Sequence, residues 1–188
     1  MITKKKTFNN SVYLKIMNKE IYTIGHSTRS IEELTELLKL NEIKLLADVR
    51  SLPGSRKYPH FNKENLEKIL PENGIKYLHL KELGGRRKVK PDSKNTAWRH
   101  KAFRGYADYM ETDEFKTGID HLVKKASKTR TAIMCSEAVW WRCHRSMISD
   151  YLKLNGWKVI HILSRTKNEE HPYTQPAKII RGELYYTE

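Results

Sequence analysis

Between Met134 and Leu152 the chain sets Cys135, Glu137, Cys143, His144 and Arg145 close together, beside Trp140, Trp141 and Arg142. Thr131 to Cys135 is a short apolar run suited to a buried strand, and Met147, Ile148, Tyr151 and Leu152 share one helical face. Strand, loop and helix therefore follow one another, with the reactive groups at the carboxyl end of a sheet, the usual ligand crevice of open α/β folds. A helix beginning near Arg142 puts Cys143 in its first turn, where the macrodipole, Arg142 and Arg145 favour a thiolate. Cys143 is then a candidate nucleophile; the alternative is a small buried residue at the helix–sheet interface. His144 points about 100° away from its neighbour on such a helix, so the base has to come from another loop. His26, closing the first strand, is the candidate.

Glu137 and Asp48 lie at or just beyond strand ends, and a carboxylate beside Trp140 and Trp141 is suited to general acid or base work. Their alternative role is to pair with Arg50, Arg56 or Arg145, which in turn read as bidentate phosphate anchors. Cys135, Cys143, His144, His26 and Asp48 are all possible zinc ligands, but there is no Cys-x-x-Cys or His-x-x-x-His pair, so no metal and no other cofactor is expected. A cysteine-phosphatase loop from Cys135 to Arg142 is set aside, because the segment has no glycine to aim amides at a phosphate.

The elements that must position these groups can be read in order. Ile21–Gly25 is a strand, and Ser30 with Glu33 forms a capping box for a helix buried through Ile31, Leu34, Leu37 and Leu38. Ile43–Val49 is a second strand, followed by a Pro-, Gly- and Ser-rich loop to Arg56. Asn62 caps a helix through Leu70, Asn73-Gly74 ends it, and Ile75–Leu80 is a third strand. Leu83 to His100 has no periodicity and reads as a long mobile loop over the site. Helices at Lys101–Met110 and Asp113–Lys125 come next, then the central strand and helix, a fifth strand at Trp157–Leu163, and a last strand in the tail from Ala177. The expected fold class is α/β, a three-layer sandwich around a mostly parallel sheet of about five strands. Residues 1–18 read as a flexible basic extension, with Met17 an alternative start, and residues 19–188 as a single domain.

Two cysteines without a signal-peptide pattern fit free thiols in a reducing cytoplasm, and no segment reads as transmembrane. The formal net charge of +14 favours polyanionic partners, nucleic acid first. From Arg86 to Arg104 basic residues, including Arg86 and Arg87, far outnumber Asp92, and Trp98 among them offers a stacking surface, as does Trp140 nearer the thiols.

The motifs Thr23-Ile24-Gly25-His26-Ser27, Asp48-Val49-Arg50-Ser51 with Pro53-Gly54-Ser55-Arg56, Leu83-Gly84-Gly85, Gly105-Tyr106-Ala107-Asp108-Tyr109-Met110, Cys135-Ser136-Glu137 and Cys143-His144-Arg145 occur in this order. In that order they resemble the domain of unknown function 488 family, from about Ile21 to Leu163. The resemblance implies an α/β sandwich with a site composed of these motifs and implies no reaction.

The expectation is therefore an enzyme acting on nucleic acid or a nucleotide-like anion, with arginines as anchors and Glu137, Cys143, His26 and Asp48 as reactive groups. Two rivals stand beside it: a non-catalytic nucleic-acid-binding module, and a thiol or sulfur-transfer enzyme using Cys143.

Overall fold

The computed structural model describes residues 19–188; the expected basic extension lies outside the described residues. Six strands form the central sheet in the order β3-β2-β4-β1-β5-β6. They are β1 (Glu20–Gly25), β2 (Leu45–Asp48), β3 (Lys76–His79), β4 (Thr131–Cys135), β5 (Lys158–Ile162) and β6 (Asn168–Glu170), the first five parallel and β6 antiparallel to β5. The helices are α1 (Ile31–Leu40), α2 (Lys63–Glu72), α3 (Lys101–Met110), α4 (Asp113–Ala126) and α5 (Arg145–Leu154).

Side chains alternate across the strands and bury both faces, as a parallel sheet requires. Tyr22, Ile24, Leu46, Ala132 and Met134 pack with Leu34, Leu37, Leu66 and Leu70 of α1 and α2. Ile21, Ala47, Ile133, Cys135 and Val159 face the other layer, against Tyr106, Phe115, Leu122, Met147, Ile148 and Leu152 of α3, α4 and α5. This is the three-layer sandwich expected, with six strands where about five were read.

The strand order also fixes where a crevice opens. From β1 the chain crosses to β2 on one side of the sheet, whereas from β4 it crosses to β5 on the other, so the connections leaving these neighbours diverge. Gly25 is in register with Cys135, and the ladder runs one step further, His26 N–H donating to Cys135 O at 3.0 Å and Ser27 N–H to Ser136 O at 2.8 Å. The loops bearing His26 and the thiols therefore leave the sheet side by side.

Most elements lie where their patterns place them, including the Ser30 hydroxyl accepting from Glu33 N–H at 3.1 Å. Four features differ. Asn62 precedes α2 without capping it, because its Oδ1 accepts from Ser55 N–H at 2.6 Å and ties down the Pro-Gly-Ser loop. The segment read as a mobile loop has no regular element from Gly84 to His100, yet Asp108 accepts from Lys90 N–H, Ser93 and Asn95, and Ala97 N–H donates to Tyr186 O. The tail does not join the sheet: β7 (Lys178–Ile180) pairs with β8 (Glu183–Tyr185) across a two-residue turn, Arg181 and Gly182, with positive φ at both positions. Finally, α5 starts at Arg145 and not near Arg142. Trp140 is drawn inward to stack on His161 at 4.5 Å, so residues 140–142 form a single 3-10 turn and Cys143 is left extended (φ −134°, ψ 145°).

No helix of the described residues is long and apolar enough to cross a membrane.

Candidate active site

A crevice of about 840 Å³ opens at the carboxyl end of the sheet, lined by His26, Arg50, Arg86, His100, Cys135, Glu137, Arg142, Cys143 and His144 among others. Its floor is a cluster of three groups. Nδ1 of His144 lies 3.6 Å from Cys143 Sγ and 3.9 Å from Cys135 Sγ, and these three atoms all fall within 4.8 Å of one another. The other ring nitrogen of His144 is 3.1 Å from the Val49 carbonyl. A carbonyl only accepts, so Nε2 carries a hydrogen there and Nδ1 is the nitrogen turned to the sulfurs.

Because Cys143 is extended and precedes the helix, it and His144 face the same sulfur of β4, which a common helix would not have allowed. The thiols are unequal. A hydrogen bond from Cys143 holds the Cys135 thiol well below its ordinary range against the cost of burial, with His144 and Arg145 adding to the effect. Burial, together with donation to Cys135 and its negative charge, pushes the Cys143 thiol well up. Of the pair, Cys135 is thus the thiol favoured to carry the negative charge and Cys143 the one favoured to keep its proton. The loop-helix reading had put that charge on Cys143.

Arg145 is 1% exposed and is not free to hold a ligand. Its guanidinium donates to the carbonyls of Glu137 (2.6 Å) and Ala138 (3.0 Å), folding the loop over the helix start beside both sulfurs. Gly25 belongs to the same construction: a Cβ there would meet Glu137 O at 1.8 Å. Cys135, Cys143 and His144 are three soft donors of the kind that hold zinc, whereas His26 and Asp48 are engaged elsewhere. The spacing of these residues along the chain showed no sign of this grouping, and Arg145 brings a positive charge to the same sulfurs.

The second group of expected site residues forms a buried support. Asp48, with no exposed surface, accepts from Arg50 Nε (2.9 Å), Arg50 Nη2 (2.6 Å), the Arg50 amide (3.0 Å) and the Tyr77 hydroxyl (2.7 Å). Arg50 also donates to Phe61 O at 2.8 Å and, through Nη1, to Nε2 of His26 at 3.3 Å. His26 consequently bears its hydrogen on Nδ1, toward Ser27 O at 3.1 Å, and stacks on Phe61. Burial and the Arg50 charge pull its pKa down to about 4, so His26 reaches the crevice as a neutral ring.

The remaining residues divide by exposure. Glu137 is exposed at the rim, and its carbonyl, not its carboxylate, is what the fold engages. Arg86 is exposed and lines the crevice, while its amide donates to Ser51 Oγ. Arg87 turns away, stacked 3.5 Å over the Tyr109 ring and paired with Glu114. Arg56 is exposed and outside the lining. Trp98 packs between Phe103 and Tyr186, and Trp140 is stacked on His161, so neither ring faces the crevice.

Sequence reasoning left Cys135 out of the reactive set and set His144 aside. The available signal was Cys135 as the last residue of an apolar strand buried throughout, in register with the glycine before His26.

No curated protein and no solved structure matches the chain. The model of the family described as domain of unknown function DUF488 matches residues 30–152. That span runs from the cap of α1 into α5, through the Asp48–Arg50 pair and the whole thiol cluster. With about two thirds of its length matched, the chain is a member of the DUF488 family.

Proposed function

We propose that this chain is a cysteine-dependent enzyme in which the Cys135 thiolate attacks an anionic substrate bound in the crevice. The observation that carries the reading is the grouping of two thiols and an oriented imidazole within 4.8 Å at the floor of a crevice whose other charged groups are mostly cationic. His144 holds the Cys143 proton in reach, and Arg145 stabilises negative charge on sulfur. Arg86 and Arg142 are exposed at the rim and pair with no carboxylate among the described residues, which suits them to hold the substrate's charge. With a net charge of +14, a nucleotide or nucleic acid is the favoured substrate class. A dithiol kept reduced belongs in the cytoplasm.

Alkylation tests the nucleophile. Iodoacetamide should label Cys135 at pH 6, where a thiol of ordinary pKa, about 8.5, is less than about 1% ionised. Labelling of both thiols only as pH rises through that ordinary value would sink the assignment. The favoured class is tested separately by salt: affinity for a single-stranded oligonucleotide should fall steeply with salt, and Arg86→Ala should reduce the slope by roughly one phosphate contact. Absence of binding at low salt would leave only smaller anions as substrates.

A further inference from the structure

We infer that Cys143 is the second member of a dithiol–disulfide couple, so that the reaction at this site passes through a sulfur–sulfur bond to Cys135. The inference rests on the reading of Cys135 as the reactive thiol and specifies the chemistry that follows. In acyl, alkyl or phosphoryl transfer the intermediate on sulfur is discharged by water or by an acceptor entering from the crevice, and a neighbouring thiol has no task. Discharge of a sulfur bound to Cys135 does need one. Cys143 is placed for it, with its sulfur in the same cluster within 4.8 Å of that of Cys135 and His144 Nδ1 at 3.6 Å to take its proton. At 3% exposure it is screened from bulk solvent, yet next to anything that Cys135 carries.

Disulfide formation requires the sulfurs to approach to about 2.05 Å. The segment that has to yield is a loop: Ser136, Glu137 and Ala138 are exposed, and Cys143 is extended outside both β4 and α5. The steps balance as thiol–disulfide exchange. The Cys135 thiolate attacks a substrate disulfide R–S–S–R′, forming Cys135–S–S–R and releasing R′–S⁻. His144 accepts the Cys143 proton, the Cys143 thiolate attacks the Cys135 sulfur, and R–S⁻ leaves, taking up the proton from His144. Two electrons pass to the substrate, and a small-molecule thiol reductant restores the dithiol. The same second step would discharge a persulfide on Cys135.

The test uses an anionic aromatic disulfide, 5,5′-dithiobis(2-nitrobenzoate), on the full chain, which has two cysteines in all. Wild type should release two equivalents of the coloured thiolate, retain no adduct and become lighter by two hydrogens. Cys143→Ser should release one equivalent rapidly and keep the adduct on Cys135, while Cys135→Ser should lose the rapid phase. Circular dichroism of each variant shows that it is folded. A wild-type protein that keeps one adduct on Cys135, or adducts on both sulfurs, would overturn the couple and leave the Cys135 nucleophile standing. Rapid release in Cys135→Ser with loss of it in Cys143→Ser would overturn both.

Discussion

Asp48 was a candidate acid or base, and its surroundings give it a different duty. Every donor that reaches its carboxylate comes from Arg50 or Tyr77, and Arg50 in turn donates to His26 and the Phe61 carbonyl. With both members of the pair buried, removing one charge leaves the other unsolvated, which is costlier than the pair itself is favourable. Asp48→Asn should therefore destabilise the fold by about 3–5 kcal/mol in urea unfolding. A loss below about 1 kcal/mol, the value of an exposed ion pair, would show that Arg50 is solvated in the folded chain.

At the level of elements, the site depends on a close approach that a side chain would prevent. The chain from Lys81–Leu83, a short 3-10 turn, passes Gly85 against His144, and a Cβ at Gly85 would fall 2.3 Å from Nδ1, the atom facing both sulfurs. His144 also packs against Tyr106 of α3, so it cannot simply retreat. Gly85→Ala should shift the imidazole off the thiols at an overpacking cost of about 1–3 kcal/mol. The pH profile of the Cys135 alkylation rate should move up by about one unit, with the helical signal retained. An unchanged profile would mean that His144 does not contribute to the thiolate. Asp108 holds the segment from Gly84 to His100 through Lys90 and Asn95 and so fixes where Gly85 can lie.

For the whole molecule, buried histidines tie stability to pH. A second buried network runs from the Thr23 hydroxyl to His161, from His161 to His171 at 2.9 Å, and from His171 to Asp150, which also accepts from Thr174 and Tyr186. It joins β1, β5, α5 and the tail. Burial, with His171 and Arg145 nearby, pulls the His161 pKa down to about 2, as burial and Arg50 pull that of His26 to about 4. Both lie below the unfolded value of about 6.5. Between that value and each native one the unfolded chain binds a proton that the folded chain refuses, so stability is full above about pH 6.5 and falls as pH falls. The loss should approach about 1.4 kcal/mol per pH unit for each histidine, down to about pH 4 for His26 and further for His161. The urea midpoint should drop clearly between pH 7 and pH 5; an unmoved midpoint would contradict the burial of both rings.

What the sequence determined by itself was the order and type of the long elements and the end of the sheet at which the motifs gather. Those follow from local patterns: apolar runs for β1 and β4, the Ser30–Glu33 box, and the 3.6-residue period of α3, α4 and α5. Three-residue strands such as β6 have no period to read, and the tail hairpin turns on the positive φ of Arg181 and Gly182. Which thiol is favoured to carry the charge depends on the tertiary structure. Trp140 seeks His161 across the sheet layer, the helix start moves to Arg145, and Cys143 swings out to face Cys135 with His144 between them. The arginines were decided in the same way, since Arg50 is taken up by Asp48 and Arg145 by two loop carbonyls, leaving Arg86 and Arg142 at the rim. Charge on a sulfur or a free guanidinium depends on partners brought together by folding, and such partners leave no spacing in the sequence.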